Sequence, residues 1–316
     1  MKKYVLVRLS LVFVNVFLVG SLLFFALTLS TFKKWTMLPF DDYMRITSRL
    51  YKVFLKERIL HSNWGLTISG DPVKEFIVPR FWVSLKYNII ALMVYFPIGI
   101  TLGMLSAYYK GSFFDHIVNT IALVLGSIPI YILSFLLIII LGFQLQIFPP
   151  HISEIPGTFF GSIWGLGIPI IALSAGAITR ISRVIRSEII ETLQSDSYLL
   201  AKTKGLTKKQ IFTRHILKRS IASLLPVSVE VFMIVLMGSF FVEMSFGIEG
   251  VAEQLYKGLI GLYEDLGFNY IQIDVNLIVV IAVFYMIVGS LFALFIDLLY
   301  PILDPRMNII GRIKKQ

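Results

Sequence analysis

Residues Ile117 to Pro150 read IVNTIALVLGSIPIYILSFLLIIILGFQLQIFPP, a run without one Asp, Glu, Lys, Arg or His. A bilayer core takes about 20 consecutive apolar helical residues, so this stretch is read as membrane-embedded. Working outward, Tyr87 to Tyr109, Ile155 to Thr179, Val275 to Ile296 and Leu9 to Phe32 are equally free of charge. Pro226 to Met244 makes a sixth candidate span, interrupted by Glu230 and carrying Glu243 near its far end. The first run follows Lys2, Lys3 and Arg8 and resembles a secretory signal at first sight. It is too long for a typical signal core and no small-residue cleavage site follows it, so a retained anchor helix is expected. The fourth run holds Gly157, Gly161, Gly165, Gly167 and Gly176, with Pro156 and Pro169. Small residues let helices approach closely, so it is expected to pack against other helices rather than lipid.

Composition agrees. Hydrophobic residues are 57% of the 316, charged residues only 15%, and mean hydropathy is +0.81, against about 25% charged in soluble domains. There is no cysteine, which removes disulfides, thiolate metal sites and cysteine nucleophiles. His61, His116, His151 and His215 lie far apart, without metal-ligand spacing. No metal site and no nucleic-acid partner are expected. The net charge of +10 is instead read as a topology signal.

Basic residues concentrate at particular turns. Between the fourth and fifth spans stand Arg180, Arg183, Arg186, Lys202, Lys204, Lys208, Lys209, Arg214, Lys218 and Arg219, whereas none separates the third from the fourth. Between the fifth and sixth there is Lys257 against five acids. The positive-inside rule then puts both termini and the loop 180–225 in the cytoplasm. Residues 33–80 carry nine basic and five acidic residues on the opposite side, a conflict that a long loop tolerates. Within it, Met44, Leu50, Val53, Phe54 and Ile59 suggest an amphipathic helix lying on the outer face, either a docking surface or a structural lid. The expected fold class is an all-α membrane protein of about six transmembrane helices. It divides into an anchor with its extracytoplasmic segment (1–80), a transmembrane domain (81–306) and a basic tail (307–316).

The loop 180–225 is punctuated for helix, short helix, tight turn, helix. Ser195 or Asp196 can cap a short helix through Tyr198 to Lys204. Gly205 suits the left-handed position that ends it, and Thr207 with Gln210 has capping-box spacing. On physics alone the loop reads equally well as a solvated basic stretch beside anionic lipid.

The segment Asp196-Ser-Tyr-Leu-Leu-Ala-Lys-Thr-Lys-Gly205-Leu-Thr-Lys-Lys-Gln-Ile-Phe-Thr-Arg-His215 resembles the EAA loop of ABC-type import permeases, specifically the oligopeptide/dipeptide branch. Ala201, Lys204, Gly205, Leu206, Arg214, His215 and Leu217 fit that pattern. Ser197-Tyr198 and Thr203 depart from it, and Lys218 stands where the wider family has proline. Three further stretches are similar to the same branch: Asn63-Trp64-Gly65 with Gly70-Asp-Pro-Val73, Phe148-Pro149, and Asp297-Leu-Leu-Tyr-Pro-Ile-Leu-Asp-Pro-Arg306. The resemblance implies a type I importer transmembrane fold and half of a translocation pore. It also implies four partners: a second homologous permease, two ATPase subunits and an extracellular substrate-binding protein. The helix with Asp196, Tyr198, Leu199, Ala201, Lys202, Lys204, Gly205 and Leu206 would then be the ATPase-coupling element. The chain itself has no G-x-x-x-x-G-K-[ST] phosphate loop, so ATP and Mg are expected on the partners and no catalytic site or cofactor here.

Peptides are the expected cargo. Nickel or other metal chelates and glutathione-like solutes are alternatives. A secondary transporter driven by an ion gradient is a further class, but it usually shows inverted repeats and several intramembrane ionisable groups, and here only Glu230 stands well inside a span. That carboxylate would either face the pore or reach water or a basic residue near the cytoplasmic end. Glu243 is expected exposed at the outer interface, and Lys86 can snorkel. An intramembrane enzyme would need paired acids, a metal cluster or a nucleophile with its base, and none is visible.

Overall fold

The computed structural model describes residues 2–35, 39–56, 63–151, 164–212, 216–265 and 268–303. Five helices are long and apolar enough to cross a bilayer: Val5–Ser30, Val73–Tyr108, Gly167–Leu193, Arg219–Phe246 and Val275–Tyr300. The pair Phe113–Ser127 and Ile130–Gln144, bent by 105°, supplies a sixth when taken as one broken span. Among the described residues the only strands form an antiparallel hairpin, β1 (Gly261–Asp265) with β2 (Phe268–Gln272).

The chain divides into two compact units, Met1–Leu85 with Glu249–Ser290, and Lys86–Ile248 with Leu291–Gln316. In the first unit, α1 (Lys2–Trp35) carries α2 (Phe40–Leu55). Phe24 meets Phe54 at 4.5 Å and Phe25 meets Tyr51 at 4.6 Å between ring centres, and the Tyr51 hydroxyl donates to Ser21 Oγ. This is the amphipathic helix expected after Asp41. Phe54 turns inward, Leu50 and Val53 stay exposed, and Ile59 lies outside the described residues. Asp274 organises the rest of the unit. Its carboxylate caps the last long helix by accepting from Leu277 N at 3.0 Å, and it also accepts from Ile68 N at 2.8 Å. Val73, Ile77, Val251, Leu277 and Ile281 close the small core.

The second unit contains most of α3 (Val73–Tyr108), then α4 (Phe113–Ser127) and α5 (Ile130–Leu137), which continues as a π-helix over Ile138–Gln144. Next come α6 (Gly167–Leu193), α7 (Asp196–Thr203), α8 (Lys208–Ile211) and α9 (Leu217–Phe246). The helices α10 (Val251–Leu259) and α11 (Val275–Leu303) complete the chain order.

Two expected spans are corrected. The uncharged run Ile117–Pro150 is not one rod. Pro129, which has no N–H to donate, takes the N-cap position of α5 with ψ 141°, after Ile128 has already left the helical region. The fourth span runs Gly167–Leu193 rather than Ile155–Thr179, of which residues 155–163 lie outside the described residues. Helix α6 therefore continues through Arg180, Arg183 and Arg186, which the charge pattern had assigned to a loop. The expected burial of this span holds, since 67% of its apolar window is inside, against 17% for α1.

Helices α3 and α6 touch through backbone. A Cβ at Gly99 would stand 2.8 Å from Ile181 Cβ, and one at Gly103 would stand 2.5 Å from the Ser182 carbonyl oxygen. The paired advance of contacts along both helices shows that they run parallel, in the close small-x-x-x-small packing of membrane helices. Gly103→Ala is therefore expected to cost about 1–3 kcal/mol through overpacking, read as earlier thermal unfolding of the purified protein. Gly176→Ala, whose Cβ would meet nothing within 4 Å, should leave stability unchanged or raise it.

Candidate functional site

The corner after α6 is built from local chemistry. Ser195 occupies the N-cap position of α7 with extended φ/ψ, but its hydroxyl donates back to Thr192 O at 2.7 Å, so the expected side-chain cap is not made. The turn closes at Gly205 with φ +73°, the left-handed conformation anticipated there. The capping box is formed in both directions: Thr207 N donates to Gln210 Oε1 at 3.0 Å, and Gln210 N to Thr207 Oγ1 at 3.3 Å.

One face of this corner is anchored. Ala201 is buried in the main core with Ile189, Ile211 and Ile216, and Tyr198 and Leu206 pack against that core. The opposite face is bare. Leu199 is 54% and Leu200 61% exposed, beside the exposed Asp196, Lys202, Lys204 and Gly205. All the coupling residues anticipated from sequence thus lie on α7 and the turn that directly follows it. Arg214 and His215 fall outside the described residues.

Upstream, a residue that sequence reasoning passed over fastens the corner. Asp115 is 2% exposed. It accepts from Arg186 Nε at 2.7 Å and a terminal guanidinium nitrogen at 2.8 Å, from Gly111 N at 2.9 Å and Asn119 Nδ2 at 2.7 Å, and from the Ser106 hydroxyl. The turn between α3 and α4 is thereby fixed to the end of α6, one short step before α7. Its signals were Gly111, at φ +79°, and the Ser112 N-cap, which accepts from Asp115 N. The partner lies 71 positions away, which no local pattern reveals.

Glu230 stands well inside α9, and Arg180 donates to it at 2.5 Å. The basic partner that the sequence offered as one alternative is thus present. Glu243 corrects its expectation: it is 0% exposed and accepts a hydrogen bond from the Tyr87 hydroxyl. An outward position would have suited a free carboxylate, but a phenol donor on α3 makes burial tolerable. Between the α4–α5 bend, α6 and α9 lies a cavity of about 310 Å³, with Arg180 and Arg183 on its wall.

A bundle of long apolar helices with one bare, basic corner is the architecture of a multi-pass membrane protein. The family of binding-protein-dependent transport system inner membrane components matches residues 99–309, more than half of the chain, and the chain belongs to that family. It is accordingly an inner-membrane protein. It is similar to the dipeptide transport system permease of Lactococcus lactis, at 29% identity over 98% of this chain and 100% of the relative. The oligopeptide transport system permease of Salmonella typhimurium is 24% identical over 82% of this chain and 79% of its own length. Among solved structures, the inward-facing MetNI methionine ABC transporter superposes with TM-score 0.55 at 18% identity, covering 73% of this chain and 98% of that one. An amino acid ABC transporter gives 0.50 at 17%, covering 72% and 94%. The fold is that of an ABC importer transmembrane subunit.

Proposed function

We propose that this chain forms half of the pore of an ATP-driven peptide importer and is moved by partner ATPases that grip α7. The observation that carries the reading is the bare face of that helix. Leu199 and Leu200 are more than half exposed on an element outside the apolar spans, while Tyr198 and Ala201 fix its other face. Burying such a leucine in a partner is worth about 1.5–3 kcal/mol. Lys202 and Lys204 surround the pair and suit an acidic groove. The dipeptide and oligopeptide permeases named above support the cargo class.

A second homologous permease would complete the pore, an extracellular binding protein would deliver peptide, and two ATPase subunits would hold the ATP and Mg. Closure of the ATPases would draw the two coupling helices together and switch the pore between inward-open and outward-open states. The Arg180–Glu230 pair would then lie along the inner half of the path.

Affinity purification from the native membrane tests this. An ATPase pair is expected to co-purify, and Leu199→Asp with Leu200→Asp should release it. Proteoliposomes are expected to take up dipeptides only with ATP and binding protein. Uptake that persists without ATP but stops with an ionophore would replace this reading by an ion-coupled transporter, and uptake of metal chelates in place of peptides would change the cargo.

A further inference from the structure

We infer that the cavity between the α4–α5 bend, α6 and α9 is a carboxylate-binding station, with Arg183 as the group that receives the terminal carboxylate of the passing peptide. The inference rests on the transport reading above and adds a ligand contact to it.

Arg183 is exposed on α6. Its Nε donates to the Thr179 carbonyl one turn back at 3.4 Å. One terminal nitrogen lies beside Gly126, 3.2 Å from where a Cβ would stand, so the absence of a side chain there leaves the guanidinium room on the cavity wall. Its two neighbours on α6 are neutralised: Arg180 by Glu230 and Arg186 by Asp115. No acid meets Arg183 among the described residues. The C-terminal end of α4 beside it offers only partial negative charge.

An ionisable side chain in a membrane span is costly, and those that persist mark partners or pathways. The cavity volume, about 310 Å³, is at the lower end of small-ligand sites. Apart from Thr179 and the Glu230-paired Arg180, its remaining walls, including Leu125, Ile128, Leu173, Val231 and Ile234, are apolar. A guanidinium presents paired donors matched to a carboxylate, and the apolar walls accept a side chain of any shape. One unpaired charge with mostly apolar walls suits a cargo whose only constant feature is its terminus.

The test uses the complete transporter in proteoliposomes with pre-loaded binding protein. Uptake of a dipeptide is compared with that of its C-terminal amide, each normalised to the loaded fraction of binding protein. The wild type is expected to carry the free acid about tenfold faster, the ratio that one charged hydrogen bond sustains. Arg183→Gln should slow the acid to the rate of the amide while leaving the amide unchanged, and Arg183→Lys should keep most of the preference. A parallel loss for both compounds would mean that Arg183 serves the assembly, for instance by pairing with an acid of the second permease, and would overturn the assignment. So would unchanged discrimination in Arg183→Gln. If the wild type carries neither compound, the peptide reading itself falls, and this station with it.

Discussion

Asp115→Ala is expected to destabilise the protein by about 3–5 kcal/mol, the usual cost of removing one partner from a buried ion pair. The Arg186 side chain, 26% exposed, retains some access to water, which puts the effect toward the lower end of that range. Gly111 N and the Ser106 hydroxyl lose their acceptor at the same time, and Asn119 Nδ2 keeps only the Asp115 carbonyl and Ser106. Thermal unfolding of the purified complex reads the loss. Asp115→Asn combined with Arg186→Gln should recover much of it, because a neutral pair leaves no stranded charge. A double-mutant cycle isolates that coupling. An Asp115→Ala variant as stable as wild type would show that the turn between α3 and α4 is held without this carboxylate.

The second large effect is functional. Gly205→Val should leave membrane insertion intact and let ATP hydrolysis run without uptake. At φ +73° a β-branched residue meets the left-handed penalty of about 1–2 kcal/mol, and that much shifts a two-state balance by about 5–30-fold. Nothing lies within 4 Å of a Cβ at this position, so the cost is conformational rather than a clash. Gly205→Asn, which tolerates the left-handed region, should therefore transport nearly normally. Measuring hydrolysis and uptake on the same preparation separates the outcomes. Normal uptake by the valine variant would remove the coupling role from this corner.

The contrast between these two sites explains what could be read from sequence. The Gly205 turn and the Thr207–Gln210 box are made within a few residues, so their chemistry shows in the local pattern. The presence of about six apolar runs was legible too, because bilayer thickness sets a length that composition can meet. Partners distant in sequence were not. Arg180 and Arg186 looked like loop residues until their acids appeared 50 and 71 positions away, and that misplaced the end of the fourth span. Glu243 looked exposed because its donor, Tyr87, lies 156 positions off. The bend at Pro129 was hidden by an uninterrupted apolar run, although the proline itself was in view.

The contact at Gly99 and Gly103 has a consequence for how force spreads. With no side chain on the α3 side of the contact to act as a cushion, the two parallel rods have no slack in which to slip past one another. If partner ATPases grip α7 as proposed, a tug there would shift both together as a single beam. Whatever compliance the bundle needs has to come from another joint, and the angled break ahead of Ile130 is the one placed to yield.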